Sequence, residues 1–258
     1  MIDLRDTSAL SLKLKSSVLL SSTDIFITAF RRIRLQHILP ALLNKSLFYP
    51  EKVYSEYFDI FHKKDLKIFN ENELHYEILL IPAGLLGIEF IKTHIYFSKA
   101  TQNKVACVVQ CLHGKATILL QKNKPKEQFD LFTSVKEGYL ITLRRGEKIT
   151  IPTGYFYTFI NTTNSSVVIA RIFKKHGIIN YNLLNKEGGL AYFAIRKNAR
   201  TEIVFNPRYK NIPKIKKIRP KENLIKFDLT KEPIYKSVLT NTDYILSILI
   251  DNNNDAGN

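Results

Sequence analysis

The chain of 258 residues has no tryptophan, one methionine and two cysteines, Cys107 and Cys111. Two cysteines exclude a disulfide framework. If both lie on one strand, their α-carbons stand about 13 Å apart, too far for a bridge. Unpaired thiols suit a reducing, cytoplasmic setting. Long apolar runs are also missing: Asp24, Arg31 and Arg32 interrupt the longest N-terminal stretch, so no membrane-spanning helix and no membrane partner are expected. The opening MIDLRDTS carries acids where a secretory signal would carry bases.

Acidic residues are scarce as well, 23 against 39 Lys and Arg, for a formal charge of +16. Two readings stay open. A positive field attracts phosphates on sugars, lipids or nucleic acid. Alternatively the lysines, scattered except in one segment, are a composition bias of the surface. What is plentiful is hydrophobic residues, 45% of the chain with 11% aromatic, enough for a packed core.

The pattern divides the chain into a helical arm (1–50), a β-barrel (51–210) and a basic strap with a C-terminal helix (211–258). In the arm, Ile25, Ile27, Phe30, Ile33, Leu35, Ile38 and Leu42 suggest helix from about Asp24 to Leu43, with Asp24 as N-cap and Pro40 ending it. From Val53 the pattern becomes strands: Val53–Phe61, a polar turn at Asn70–Glu73, Leu74–Ile81, and a two-glycine turn feeding a strand within Pro82–Ser98. A polar loop at Lys99–Lys104 precedes Val105–His113 and Lys115–Gln121. A charged loop at Lys122–Gln128, then Phe129–Thr133, Tyr139–Leu143, Val167–Phe173 and Tyr192–Phe205 complete the series. Many short strands with little helix between them indicate an antiparallel barrel or sandwich. Between Arg208 and Lys221 seven residues are Lys or Arg and none is acidic, with Pro213 and Pro220 opposing helix, so this part reads as an extended strap. Ile234–Ile250 regains helical spacing, and DNNNDAGN reads as a disordered end.

The most ordered signal is Gly146–Asn161, GEKITIPTGYFYTFIN. A Gly, five residues, Pro152-x-Gly154, two residues, a ring-bearing residue, three residues and Asn161 describe a strand, a tight turn and a second strand. This spacing resembles the second motif of the cupins, which implies an all-β fold: a double-stranded β-helix (jelly-roll) barrel, here with short N-terminal and C-terminal helices.

A second stretch narrows the resemblance. Ala83-Gly84-Leu85-Leu86-Gly87-Ile88-Glu89-Phe90-Ile91-Lys92-Thr93 is similar to the PG-x-x-G-x-E-F-x-x-T segment of the archaeal-type, cupin glucose-6-phosphate isomerases, and Leu119–Gln121 and Phe205–Lys210 also resemble that family. The resemblance spans roughly 50–210. It implies a divalent metal held by three histidines and a glutamate, and isomerisation between glucose 6-phosphate and fructose 6-phosphate. The four ligand positions fall on Tyr96, Ser98, Cys107 and Tyr157, all substituted. Tyr and Ser hydroxyls are poor ligands for divalent metals at neutral pH, so no metal cofactor is expected. A relocated site would have to use His94 or His113. The resemblance also implies that Thr93 contacts a substrate phosphate, with Gly84 and Gly87 either leaving backbone open to it or forming a plain strand turn, and that Tyr181 lies on the active-site rim, while Ile95 stands where the family has a glycine.

Isomerisation through an enediol needs a positioned base and an oxyanion partner. The interior candidates, Cys107, Tyr96, Tyr157 and Ser98, are poor bases at neutral pH, since thiol and phenol pKa values lie near ~8.5 and ~10. The first reading is therefore a cupin of isomerase descent with altered or lost chemistry. The second is a non-catalytic cupin that binds a phosphorylated sugar or is structural. A third places nucleic acid on the strap, which lacks stacking aromatics beyond Tyr209. The expected partner is a phosphorylated sugar, and the resemblance allows a homodimer.

Overall fold

A computed structural model describes residues 1–98, 105–124, 134–174, 178–179, 184–220 and 231–249. Within them the strands are β1 (Ile2–Asp3), β2 (Leu12–Lys15), β3 (Val18–Ser21), β4 (Ile25–Arg34), β5 (Lys52–His62), β6 (Leu74–Ile81), β7 (Leu85–Leu86), β8 (Glu89–Phe90), β9 (Tyr96–Ser98), β10 (Val105–His113), β11 (Lys115–Asn123), β12 (Val135–Arg144), β13 (Lys148–Pro152), β14 (Phe156–Ile160), β15 (Val167–Lys174), β16 (Ile178–Ile179), β17 (Tyr192–Lys197), β18 (Arg200–Phe205) and β19 (Lys216–Ile218). The helices are α1 (Arg5–Ser8), α2 (Leu35–Ile38), α3 (Leu66–Glu71), α4 (Ile234–Thr240) and α5 (Thr242–Leu249).

Two six-stranded sheets face each other. One has the order β13-β10-β15-β6-β5-β4, the other β16-β9-β14-β11-β12-β19. The chain crosses between them at β9–β10, β10–β11, β12–β13, β13–β14 and β14–β15, the alternation that winds a jelly roll. Along each strand alternate residues turn inward. Leu79, Val109, Ile149 and Ile169 of the first sheet meet Ile118, Leu120, Ile141, Leu143 and Phe159 of the second in the barrel core. The fold is an all-β cupin barrel.

The outer face of the first sheet carries a second core. Leu4, Leu10, Leu12 and Leu14 from the N-terminal ribbon β1–β3 and Ile234, Tyr235, Val238 and Ile245 from α4 and α5 close over Tyr76, Ile78, Val108, Leu112 and Ile172. The outer face of the second sheet is covered by a third core containing Leu184, Leu190, Tyr192 and Ala194.

The expected helix from Asp24 to Leu43 is instead mostly strand. β4 pairs antiparallel with β5 from Ile25↔His62 to Arg34↔Lys52. Its apolar residues Ile25, Ile27 and Ile33 sit at odd positions, a period of two that helical spacing also happens to accommodate, and three of its residues are β-branched isoleucines suited to a pleated surface. Asp24 caps no helix; it accepts from Ser22 and pairs with His62 at 2.8 Å. Helix is confined to Leu35–Ile38 and a 3-10 turn at Leu39–Ala41 that takes Pro40 at its start. The arm is thus largely strand. Half of the expected turn at Asn70–Glu73 lies in α3, which buries Phe69 against the outer core. Tyr192–Phe205 is a hairpin and not one strand, reversing at Asn198 and Ala199 with φ of 48° and 59°. Two consecutive left-handed residues make the turn whose twist matches paired strands.

The C-terminal expectations fare better. Ile234–Leu249 forms two helices, and the strap is extended, adding β19 parallel to the edge strand β12. The expected strand Phe129–Thr133, the loop Lys99–Lys104, most of the loop after Lys122, Lys221 and residues 251–258 lie outside the described residues.

Candidate functional site

The cupin-like turn is built as its residues require. Gly146 and Gly154 have φ of 84° and 79°, left-handed values that glycine adopts without strain. Gly154 N–H donates to the Ser98 carbonyl at 2.8 Å. Asn161 is fully buried: its amide nitrogen donates to the carbonyls of Ile81 (3.0 Å) and Ser165 (2.8 Å), and its oxygen accepts from Thr163 N–H (3.0 Å) and hydroxyl (2.7 Å).

β14 then carries Tyr157 into the barrel, opposite Tyr96 of β9 in register. The two rings lie 5.3 Å apart, and the Tyr157 hydroxyl is 3.7 Å from Cys107 Sγ. Three of the four positions expected to correspond to metal ligands therefore converge. The fourth, Ser98, is committed elsewhere: its hydroxyl meets the carbonyls of Pro152 and Tyr155 at 2.8 and 2.9 Å and accepts from Tyr155 N–H.

As a donor set these groups do not suit a divalent cation. Burial pushes the Cys107 thiol up to about 12 and the Tyr157 and Tyr96 phenols well above their ordinary range, so none is an anion at neutral pH. No cluster of three or more His, Cys, Asp or Glu suited to a metal occurs among the described residues. His94 and His113 are not brought together. His113 closes β10 beside Arg145. His94 stacks 6.4 Å from the exposed ring of His37.

A positive charge already occupies this part of the barrel. Arg171 of β15 is 3% exposed, with its guanidinium carbon 4.1 Å from the centre of the Tyr96 ring. Its Nε and Nη2 donate to Glu77 Oε2 at 2.9 and 2.6 Å across the β15–β6 register, and the pairing keeps Arg171 charged. A second buried carboxylate, Glu56, accepts from the hydroxyls of Tyr96 (2.8 Å) and Tyr54 (3.0 Å). The single Tyr54 proton goes to Glu56, so its oxygen accepts from His94 Nδ1 at 2.6 Å, which fixes the neutral Nδ1–H tautomer. The network approaches solvent at His94, at His37 and where Arg31 stands 4.0 Å from Glu56.

Sequence reading did not select Glu56, Glu77 or Arg171. Each is a lone charge at an inward position of an apolar strand, as Arg171 is between Ile169 and Phe173, and such charges are seldom buried unless paired. That alternation was the available signal.

Burial lowers the His94 pKa to about 4. The folded state then resists a proton that the unfolded chain accepts near 6.5. Stability from this group is full above about 6.5 and falls as pH drops toward 4, by about 1.4 kcal/mol per unit. Urea midpoints between pH 7 and 4 are expected to fall more steeply for the native chain than for His94→Gln. The buried thiols give another expectation. Cys107 and Cys111, raised to about 12 and 11, should stay unlabelled by a thiol reagent at pH 7.5 in the folded chain and react within minutes in denaturant.

Of the residues expected to handle phosphate, Thr93 is buried and Gly84 and Gly87 are exposed. Thr93 is buried, and its hydroxyl donates to the His94 carbonyl (2.9 Å), accepts from Phe159 N–H (3.1 Å) and meets Thr158 (3.2 Å). Gly84 and Gly87 lie exposed around β7, with φ of 148° and 68°. Ile95 packs in the third core. Tyr181 lies outside the described residues.

Among solved structures, oxalate decarboxylase of Bacillus subtilis is similar at 12% identity over 52% of this chain and 29% of its own, with a TM-score of 0.35. A vicilin of Solanum melongena is similar at 15% identity over 51% and 31%, with a TM-score of 0.34. The match thus spans less than a third of either of those chains. No individual curated protein matches the sequence. The model of the family described as glucose-6-phosphate isomerase (GPI) matches residues 44–210, from the segment before β5 to the end of the Phe205–Lys210 stretch, and with its cupin barrel this chain belongs to the cupin glucose-6-phosphate isomerase family.

Proposed function

We propose that this protein is a cytoplasmic member of the family that has kept the barrel and set aside its metal chemistry, so that it binds a phosphorylated sugar with little or no isomerase turnover. The observation that carries the reading is the barrel centre, where Tyr96, Tyr157 and Cys107 stand at three of the expected ligand positions and the Arg171 guanidinium stacks on Tyr96. The Arg171 guanidinium offers only N–H donors, so it supplies no ligand to a divalent cation in place of the family's imidazoles.

The bases that remain do not replace the metal route. Glu56 is held by two phenols and His94 is turned toward Tyr54. The test is purified full-length chain assayed with fructose 6-phosphate, alone and with Fe, Mn, Ni or Zn. Turnover is expected at background in every case; metal-dependent turnover well above background overturns the reading. Binding is tested by thermal shift with glucose 6-phosphate and fructose 6-phosphate. A rise in melting temperature supports it, and no shift with either favours a structural cupin.

A further inference from the structure

One edge of Arg171 is unused among the described residues. Nε and Nη2 both face Glu77, while Nη1, fully buried, has no hydrogen-bond partner among the described residues. A buried cationic donor left unpaired costs far more than an ordinary lost hydrogen bond, so this edge asks for an oxygen from outside the chain. Its surroundings restrict which oxygen. Two carboxylates, Glu56 and Glu77, already share the interior with one guanidinium, both linked to it through direct contact or through Tyr96. A further anion would add a third negative charge where the one buried cation is already paired, Arg31 being exposed and 4.0 Å from Glu56 on its solvent side.

We propose that Nη1 of Arg171 is the oxygen-binding centre of this barrel, a metal-independent site that takes a neutral hydroxyl or carbonyl oxygen of a sugar. The site rests on the reading that the ligand is a phosphorylated sugar and adds to it which end of the ligand goes inside. The uncharged polyol end meets Arg171, and the phosphate stays toward solvent. The guanidinium lies over the Tyr96 ring, and Glu56 accepts from the Tyr96 hydroxyl and so holds that ring in place.

The experiment uses the full chain stripped with a chelator. Guanidinium NMR signals of Arg171, assigned against Arg171→Lys, are followed during titration with fructose 6-phosphate and, separately, inorganic phosphate. They are expected to move with the sugar phosphate and stay still with phosphate. Calorimetry then compares the native chain with the double variant Glu77→Gln/Arg171→Met, which removes the ion pair together and so avoids stranding either charge; fructose 6-phosphate should bind it about ten-fold or more weakly. Unchanged affinity in the double variant with still Arg171 signals overturns the site and leaves the sugar-phosphate reading intact. Movement of the Arg171 signals by inorganic phosphate overturns the choice of a neutral oxygen. No binding of fructose 6-phosphate by the native chain overturns both readings. If the double variant fails to melt cooperatively, the NMR titration of the native chain decides alone.

Discussion

Arg171→Met alone is expected to lower stability by about 3–5 kcal/mol, since it leaves the carboxylate of Glu77 buried without its partner. Glu77 is 6% exposed and receives two hydrogen bonds from the guanidinium. Burial already pushes its pKa up against the pull of Arg171, so the stranded group should take a proton instead of staying charged. Replacing both partners, in Glu77→Gln/Arg171→Met, should recover most of the loss, because a buried pair exchanged for well-packed neutral groups is often close to neutral in stability. Urea unfolding of the two single variants and the double measures the coupling. A single variant as stable as the native chain would show that the pair is solvated, contrary to its geometry.

Asn161→Asp should cost about 2–4 kcal/mol, because a donor facing two carbonyls becomes an acceptor facing them. The amide nitrogen serves Ile81 and Ser165, on segments 80 and 4 residues away in sequence, and the carboxylate that replaces it would confront both oxygens in a fully buried site. Asn161→Ala loses those two bonds and the two its oxygen accepts from Thr163, but it adds no charge and is expected to cost less. Thermal melts of the two variants at pH 7 rank them, and equal melting temperatures would show that the buried carboxylate adds no cost of its own.

Much of the barrel was readable because its strands are short apolar runs bounded by turn residues. β6 and β10 fall on the expected boundaries, and the spacing of Gly146, Pro152, Gly154 and Asn161 located the turn that delivers Tyr157 beside Cys107. β4 was not readable as strand because its apolar residues fit both periods, and only β5 across from it decides between them. Ser98 and Thr93 show a different limit. The resemblance implied a phosphate contact for Thr93 and placed Ser98 at a substituted ligand position, while the main chain at Pro152, Tyr155, His94 and Phe159 uses their hydroxyls. Arg171 and Glu77 were hidden because 94 residues separate them, and only the β15–β6 register makes them neighbours.

The outer core has a consequence for biogenesis. The family match ends at residue 210, yet the first sheet is sealed by Leu4, Leu10 and Leu12 from one end of the chain and by Ile234, Tyr235 and Ile245 from the other. Gln110 accepts from Ile234 N–H at 2.9 Å, and the Tyr235 hydroxyl donates to Asp65 at 2.6 Å, so the last helices are docked by polar contacts as well as apolar ones. A nascent chain that has emerged only as far as β18 has its barrel strands in hand but an uncovered apolar flank. That flank closes only when α4 and α5 leave the ribosome, and until then apolar surface of the first sheet stays exposed.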